Sequence, residues 1–480
     1  MESLKEKTAK GLFWGGVSNG VQQVLNLVFG IFLARMLSQS DYGMVGMLAI
    51  FSALASVLQE GGFITALIRK KNITNDDYNS VFWISILMSS LFYAILFFCA
   101  PLIANFYYEP KLIALARYTF LGFFITSFSI APRAYLLRNM MVQKSAIISF
   151  ISLVVSGTVG VTMAATGYSY WGIATQGNVY VLFIVILSFY YAKWHPTLPV
   201  KFSPLKEMIG FSSKLIITNI FNIINGNIFS VLLGKMYTPH EVGNYTQANK
   251  WNNMGSALVG SMVGGIAQPV FAKVDDDTVR QKRIFRKLLR FTAFVSFPAM
   301  FGLALVAKEF IVILLTEKWL ESALMMQMLC IAGAFAPISG LFSNLIITRG
   351  HSNTYMWCTI AFCFTQLIAV LLSAPFGINC MIWAYVIISI CWILVWHYFA
   401  CSEIDIKLRD IIADISPYLI LTVTLVFAAT LLTQNISNLY LRFAIKVIFV
   451  AISYCMILWR LGSTIFKESV NFIRKRKIEE

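Results

Sequence analysis

Fourteen apolar runs follow one another along the chain, at approximately 12–37, 42–68, 80–107, 112–138, 145–166, 170–192, 208–234, 241–268, 287–315, 322–348, 353–374, 378–400, 414–433 and 439–461. Each is continuous rather than alternating and reaches about 20 residues, the length an α-helix needs to cross a bilayer. Barrel strands would alternate with a period of two. The pattern predicts an all-α polytopic membrane protein of about fourteen transmembrane helices.

Composition agrees. Of 480 residues, 58% are hydrophobic and 12% charged, and the mean hydropathy is +0.73. Soluble chains carry roughly 45–50% and about 25%, so a soluble enzyme, a nucleic-acid binder and a disordered scaffold are excluded as classes. The net charge of +16 then reads as topology, because cytoplasmic loops collect Lys and Arg. Lys5, Lys7 and Lys10 precede the first run, and Arg69, Lys70 and Lys71 follow the second. Arg138 and Lys144, then Lys193, Lys201 and Lys206, follow the fourth and sixth. The segment from Lys273 to Lys287 follows the eighth, and Arg474 to Lys477 lie in the tail. The opposite loops, such as Ser38 to Gly43 and Pro375 to Asn379, are poor in both. Both termini are therefore expected in the cytoplasm. The first residues lack a cleavable-signal pattern. The eight cysteines show no CxxC spacing and read as small hydrophobes. No metal-ligand spacing occurs. No GxxxxGK[ST] appears, so no ATPase of its own is expected. The loops leave no room for a soluble catalytic domain, and an enzyme is not expected.

An internal repeat organises the spans. Arg35-Met36-Leu37-Ser38-Gln39-Ser40-Asp41-Tyr42-Gly43 matches Lys235-Met236-Tyr237-Thr238-Pro239-His240-Glu241-Val242-Gly243, and 235 − 35 gives an offset of 200. The same offset lays Asp76-Asp77 over Asp276-Asp277, and Asn19 and Gln22 over Asn219 and Asn222. Ser38-x-x-Asp41 and Thr238-x-x-Glu241 read as capping boxes opening spans 2 and 8. The basic residue before each suits the negative end of the preceding helix. The predicted organisation is two six-helix lobes in parallel repeat, residues 1–200 and 201–403, followed by two helices and a basic tail in 404–480. Transporters built this way commonly bind substrate between such repeats.

Polar residues inside the spans supply the candidate site. Asn19, Gln22, Gln23 and Asn26 fall on one face of span 1. Asn219, Asn222 and Asn225 occupy the matching part of span 7, and Asn249 and Asn253 share a face of span 8. Amides facing lipid are costly. The stripes are either interhelical hydrogen-bond glue, at about 0.6–2 kcal/mol each, or the lining of a wet cavity. Lys250 lies about 15 Å into span 8 at 1.5 Å per residue, where a charge defaults to a functional role. Lys214, Arg133 and Arg290 sit nearer the cytoplasmic ends, where snorkelling is an alternative. This mostly positive set would attract an anion, and phosphate or pyrophosphate fits Lys and Arg. Glu60 is the candidate for proton or sodium coupling, with a Glu60–Lys250 ion pair as the structural alternative. Pro132 and Pro337 are expected to kink spans 4 and 10.

Several segments together resemble a known family. They are Gly11-Leu12-Phe13-Trp14, Leu33-Ala34-Arg35-Met36-Leu37, Asp77-Tyr78-Asn79-Ser80-Val81-Phe82-Trp83, Ala100-Pro101-Leu102-Ile103-Ala104, Pro132 with Leu136-Leu137-Arg138, and Val155-Ser156-Gly157 with Gly160, Ala164 and Gly167. In order and spacing, over roughly residues 8–400, the chain resembles the polysaccharide-transport branch of the multidrug/oligosaccharidyl-lipid/polysaccharide (MOP) exporter superfamily, the Wzx-type flippases and the colanic- and teichuronic-acid exporters. The resemblance implies alternating access driven by an H+ or Na+ gradient without a cofactor. It implies a bacterial inner-membrane location and movement of undecaprenyl-pyrophosphate-linked oligosaccharide to the outer leaflet. The glycan would serve O-antigen, capsule or exopolysaccharide synthesis, with membrane lipid, a glycan polymerase and glycosyltransferases as candidate partners. Lys250, Lys214, Arg133 and Arg290 are then candidates for the pyrophosphate. A drug/cation antiporter and a peptidoglycan-precursor flippase are the alternatives within the same fold. The loop Arg69 to Asp77 lacks the motif of a major-facilitator transporter.

Overall fold

The computed structural model describes residues 4–60, 63–70, 72–198, 213–272, 274, 277–468 and 471. Among them every regular element is helical. Among the described residues twelve helices are long and apolar enough to cross a membrane, and a thirteenth span forms if one bent pair counts as a single crossing. A further helix, α1 (Leu4–Met36), carries the amide stripe. Contacts divide the chain into two compact units, Met1–Gly243 and Asn244–Glu480.

The first unit contains α1, α2 (Gln39–Glu60), α3 (Phe63–Arg69), α4 (Asn75–Tyr107), α5 (Leu112–Ser127), α6 (Ile130–Arg138), α7 (Val142–Ala165), α8 (Trp171–Ala192), α9 (Ser213–Met236) and the first residues of α10 (Pro239–Ala272). One of the expected spans is interrupted here. The run 42–68 contains α2 and α3, which flank residues 61 and 62 outside the described set. The run 112–138 breaks by 44° between α5 and α6. Pro132 explains this break, because its missing N–H would have served the carbonyl of Phe128, four residues back. Pro337, by contrast, lies inside the unbroken helix α13 (Leu320–Thr348).

Side chains finish the irregular joints. Arg138 donates from one nitrogen to the carbonyls of Leu67 and Ile68, at 2.8 and 2.9 Å, closing the free C-terminal end of α3. Asn79 holds the chain after α8 by two bonds, Nδ2 to the Thr197 carbonyl at 2.6 Å and Oδ1 from the Thr197 N–H at 2.9 Å. Trp194 donates to Asn75 at 2.6 Å. Around these bonds Tyr78, Phe82, Leu136, Ile148 and Trp194 form a buried cluster. At the other end Leu33, Leu37 and Ala164 pack α1 on α7.

The second unit holds the rest of α10, then α11 (Thr278–Leu305), α12 (Ala307–Leu315), α13, α14 (Ser352–Ser373), α15 (Ile378–Ile404), α16 (Leu408–Thr433) and α17 (Leu439–Arg460). The expected run 287–315 is therefore also two helices, α11 and α12. At the centre of this unit is α13, its Leu341, Phe342 and Leu345 wholly buried. Ser296 of α11 donates to its Ala334 carbonyl at 2.7 Å, and Phe342 meets Phe285 edge to face at 4.9 Å. In lipid such fitted contacts matter more than apolar area, since the solvent is itself apolar.

Candidate functional site

The first expected capping box forms in full, and the second shows its Glu241 half. The Ser38 N–H donates to Asp41 Oδ2 at 2.8 Å, and the Asp41 N–H returns to Ser38 Oγ at 3.2 Å. The Thr238 N–H donates to Glu241 Oε2 at 3.1 Å, and Pro239 stands first in its helix, where no N–H is needed. The acidic pairs at the same offset reach different registers. Asp77 is the third residue of α4 and accepts from the Thr74 N–H at 2.8 Å, whereas Asp277 caps α11 through the Arg280 N–H at 2.8 Å.

The boxes are followed by Gly43 and Gly243, and the structure shows why both are glycine. A Cβ on Gly43 would run into the Pro239 carbonyl, and one on Gly243 into the Gln39 carbonyl. The two helix starts cross backbone to backbone in a reciprocal contact within the first unit. Nearby, Tyr107 donates to the Met47 carbonyl at 3.1 Å. Lys235 donates to the Phe106 carbonyl at 2.8 Å and lies 3.9 Å over the Tyr108 ring. Ser169 donates to Asp41 from the turn between α7 and α8.

Away from this closure the same helices open. On α1, Asn19, Asn26, Leu33 and Leu37 are seven, seven and four residues apart and share one stripe. Asn19 and Asn26 are exposed, as is Gln23, and Gln22 is half-buried. Leu33 and Leu37 are 3% exposed. The repeat on α9 does the same, with Asn219, Asn222 and Gly226 exposed, Asn225 half-buried, and Phe229 and Leu233 buried. Each stripe is polar and open at one end, apolar and closed at the end bearing the capping boxes. Amides on a membrane helix are accommodated by protein, water or a polar ligand, and Gln22, Asn222 and Asn225 each keep a partner within the protein.

The candidate charges are distributed differently. The side chains of Glu60 and Lys214 lie outside the described residues. Arg133 is half-buried in α6, just past the 44° break. Arg290 Nε is 3.5 Å from Asp414 Oδ1, beside Arg286, which grips Asp414 at 2.7 and 3.1 Å and lies 3.4 Å from Asp410. Arg290 thus belongs to a cluster tying α11 to α16. Lys250 is half-buried on α10 in the second unit, 5.8 Å from the Trp251 ring. Among the described residues no acid pairs with it within 4.0 Å. Asn249 is half-buried and Asn253 exposed. On the same helix, the amide of Gln247, the Trp251 Nε1 and the Asn252 Oδ1 are buried without a protein hydrogen-bond partner among the described residues.

Sequence reasoning missed the acids. Glu309, 1% exposed, joins Lys446 and Arg442 of α17, and Asp414 joins Arg286 and Arg290. It also passed over Arg117, which donates to the Phe97 carbonyl at 3.3 Å and stacks 4.2 Å over the Phe97 ring. Charge inside an apolar run was the available signal for Glu309 and Lys446. Their pairing was not, because it joins residues 137 apart.

The chain is similar to known proteins along most of its length. It is 23% identical over 468 residues to the teichuronic acid biosynthesis protein TuaB of Bacillus subtilis (strain 168), covering 95% of this chain and 96% of that protein. It is 22% identical to the lipopolysaccharide biosynthesis protein WzxC of Escherichia coli (strain K12), covering 73% and 71%. A solved structure of the lipid II flippase MurJ, in an inward closed conformation, superposes with a TM-score of 0.73 at 15% identity, covering 93% and 99%. An inward-facing multidrug resistance MATE transporter of the MOP superfamily gives 0.63 at 12%, covering 80% and 94%. The fold is therefore that of MOP transporters. Residues 32–324 match the family described as polysaccharide biosynthesis protein, and with more than half of its length inside that match the chain belongs to this family.

Proposed function

We propose that the protein is a flippase for lipid-linked oligosaccharide, carrying undecaprenyl-pyrophosphate-linked repeat units from the cytoplasmic to the outer leaflet for surface polysaccharide synthesis. The observation that carries this reading is the pair of matched stripes on α1 and α9, open and amide-lined at one end and sealed at the capping boxes. On the topology read from loop charge, the sealed end faces outward and the open end faces the cytoplasm, where such a substrate is made. Amides suit a glycan, since each can donate and accept with hydroxyl groups. Lys250, half-buried and without an acidic partner among the described residues, is the cation best suited to the pyrophosphate. Family membership and the names of the relatives support the same substrate class. Alternating access powered by an H+ or Na+ gradient would complete the cycle. Glu60 is the coupling candidate.

Leaflet-resolved flipping in proteoliposomes tests the proposal, with undecaprenyl-pyrophosphate bearing a short glycan and with wild type compared to Lys250→Ala. Wild type is expected to flip the lipid. The variant is expected to lose about 10- to 100-fold in rate, the equivalent of one charge-assisted hydrogen bond of roughly 1.5–3 kcal/mol. An undiminished rate in Lys250→Ala would remove the residue from the site while leaving the function. Export of a cationic dye with no lipid movement would place the protein among drug antiporters instead.

A further inference from the structure

Outside the amide stripes, the second unit carries a groove that the transport reading does not use. It holds about 400 Å³ and runs where α17 meets α11 and α12, walled by Gly302, Val306, Phe310, Phe443 and Val450 and reaching Cys455. From Phe443 to Cys455 its length is about 18 Å along the helix at 1.5 Å per residue. One leaflet of hydrocarbon is about 15 Å, half of a core of about 30 Å. The groove is thus long enough for one alkyl chain lying along α17.

Ionisable groups gather at one end. Glu309 Oε1 is 2.6 Å from Arg442 Nε and 2.8 Å from Lys446 Nζ, and Lys446 also donates to the Leu305 carbonyl at 3.2 Å. Lys446 lines the groove itself. Glu309 is 1% exposed, while the Arg442 side chain is 22% exposed. Two cations against one carboxylate leave one positive charge, and Lys308 beside them is exposed and adds another. Loop charge places this end of α17 on the outer side, so the positive-inside rule does not account for Arg442 and Lys446. Glu309 accounts for one of them. A phosphate would balance the other.

We propose that this groove binds one anionic phospholipid of the outer leaflet, with its phosphodiester at Arg442 and Lys446 and one acyl chain along α17. The apolar wall continuing from the charged end selects a lipid over free phosphate. The lipid would complete the seam of α17, which protein contacts hold at the Glu309 cluster and again where Tyr454 donates to the Phe294 carbonyl at 2.9 Å.

Native mass spectrometry of the full chain, purified in mild detergent and exposed to equal phosphatidylglycerol and phosphatidylcholine, tests the site. Wild type is expected to retain one phosphatidylglycerol in preference to phosphatidylcholine. Arg442→Gln should reduce that preference about fivefold, from about 1 kcal/mol per basic side chain near a lipid surface. In Gly302→Leu the added Cβ meets no protein atom within 4 Å, so the side chain fills the groove and should lower retention of both lipids together. Unchanged preference in the first variant, or unchanged retention in the second, overturns the site. Displacement of phosphatidylglycerol by added undecaprenyl phosphate would overturn the phospholipid assignment in favour of a polyprenyl chain.

Discussion

Replacing Gly43 by Ala is expected to release the closure at the capping boxes, and replacing Gly243 by Ala to do the same from the other helix. In each case the new methyl meets a backbone carbonyl, of Pro239 or Gln39, and neither can rotate away as a side chain would. The helix starts must separate. Overpacking of this kind costs about 1–3 kcal/mol, which moves a two-state equilibrium by up to about 100-fold. The readout is a single cysteine at Asn26, introduced into a cysteine-free background and labelled from outside by a membrane-impermeant thiol reagent. Labelling should accelerate by a factor approaching 100 in Gly43→Ala. Lipid flipping should fall, because a protein held open outside cannot return to load. Labelling at the unaltered rate, with flipping intact, would show that the reciprocal glycine contact does not gate the path.

The second large effect is on stability. Glu309→Ala leaves Lys446 and Arg442 without their carboxylate, and Lys446 is 9% exposed. Removing one partner of a buried pair costs about 3–5 kcal/mol, most of it the penalty of the stranded charge. The variant should denature at markedly lower temperature or be recovered in low yield from membranes. Adding Lys446→Met removes the stranded charge at similar volume and should restore most of the loss. The non-additivity of the two changes then measures the pair. If Glu309→Ala alone melts with wild type, the cluster contributes nothing to holding α17.

These two sites were legible to different degrees. The glycine contact lay in the sequence as a repeated nine-residue pattern, and its capping boxes could be read because a box is a local device, complete within four residues. Its purpose could not be read, since the clash that forbids a side chain comes from Pro239, 196 positions from Gly43, and from Gln39, 204 positions from Gly243. The Glu309 cluster was invisible as a cluster. Along the chain its members are separate charges in different apolar runs, and only the packing of α12 on α17 made them one group. Arg290 shows the converse. By position it was a candidate for the pyrophosphate, and by contact it belongs with Asp414.

By itself the sequence determined the membrane class, the all-helical architecture and the amide faces. Those properties follow from hydropathy and helical periodicity, which are local or additive along the chain. Tertiary structure decided where helices break, as at Pro132 and between α11 and α12. It also decided which charges neutralise one another, and which end of each amide stripe is sealed. These depend on which surfaces meet, and a stripe of fixed period is open or closed only according to what packs against it.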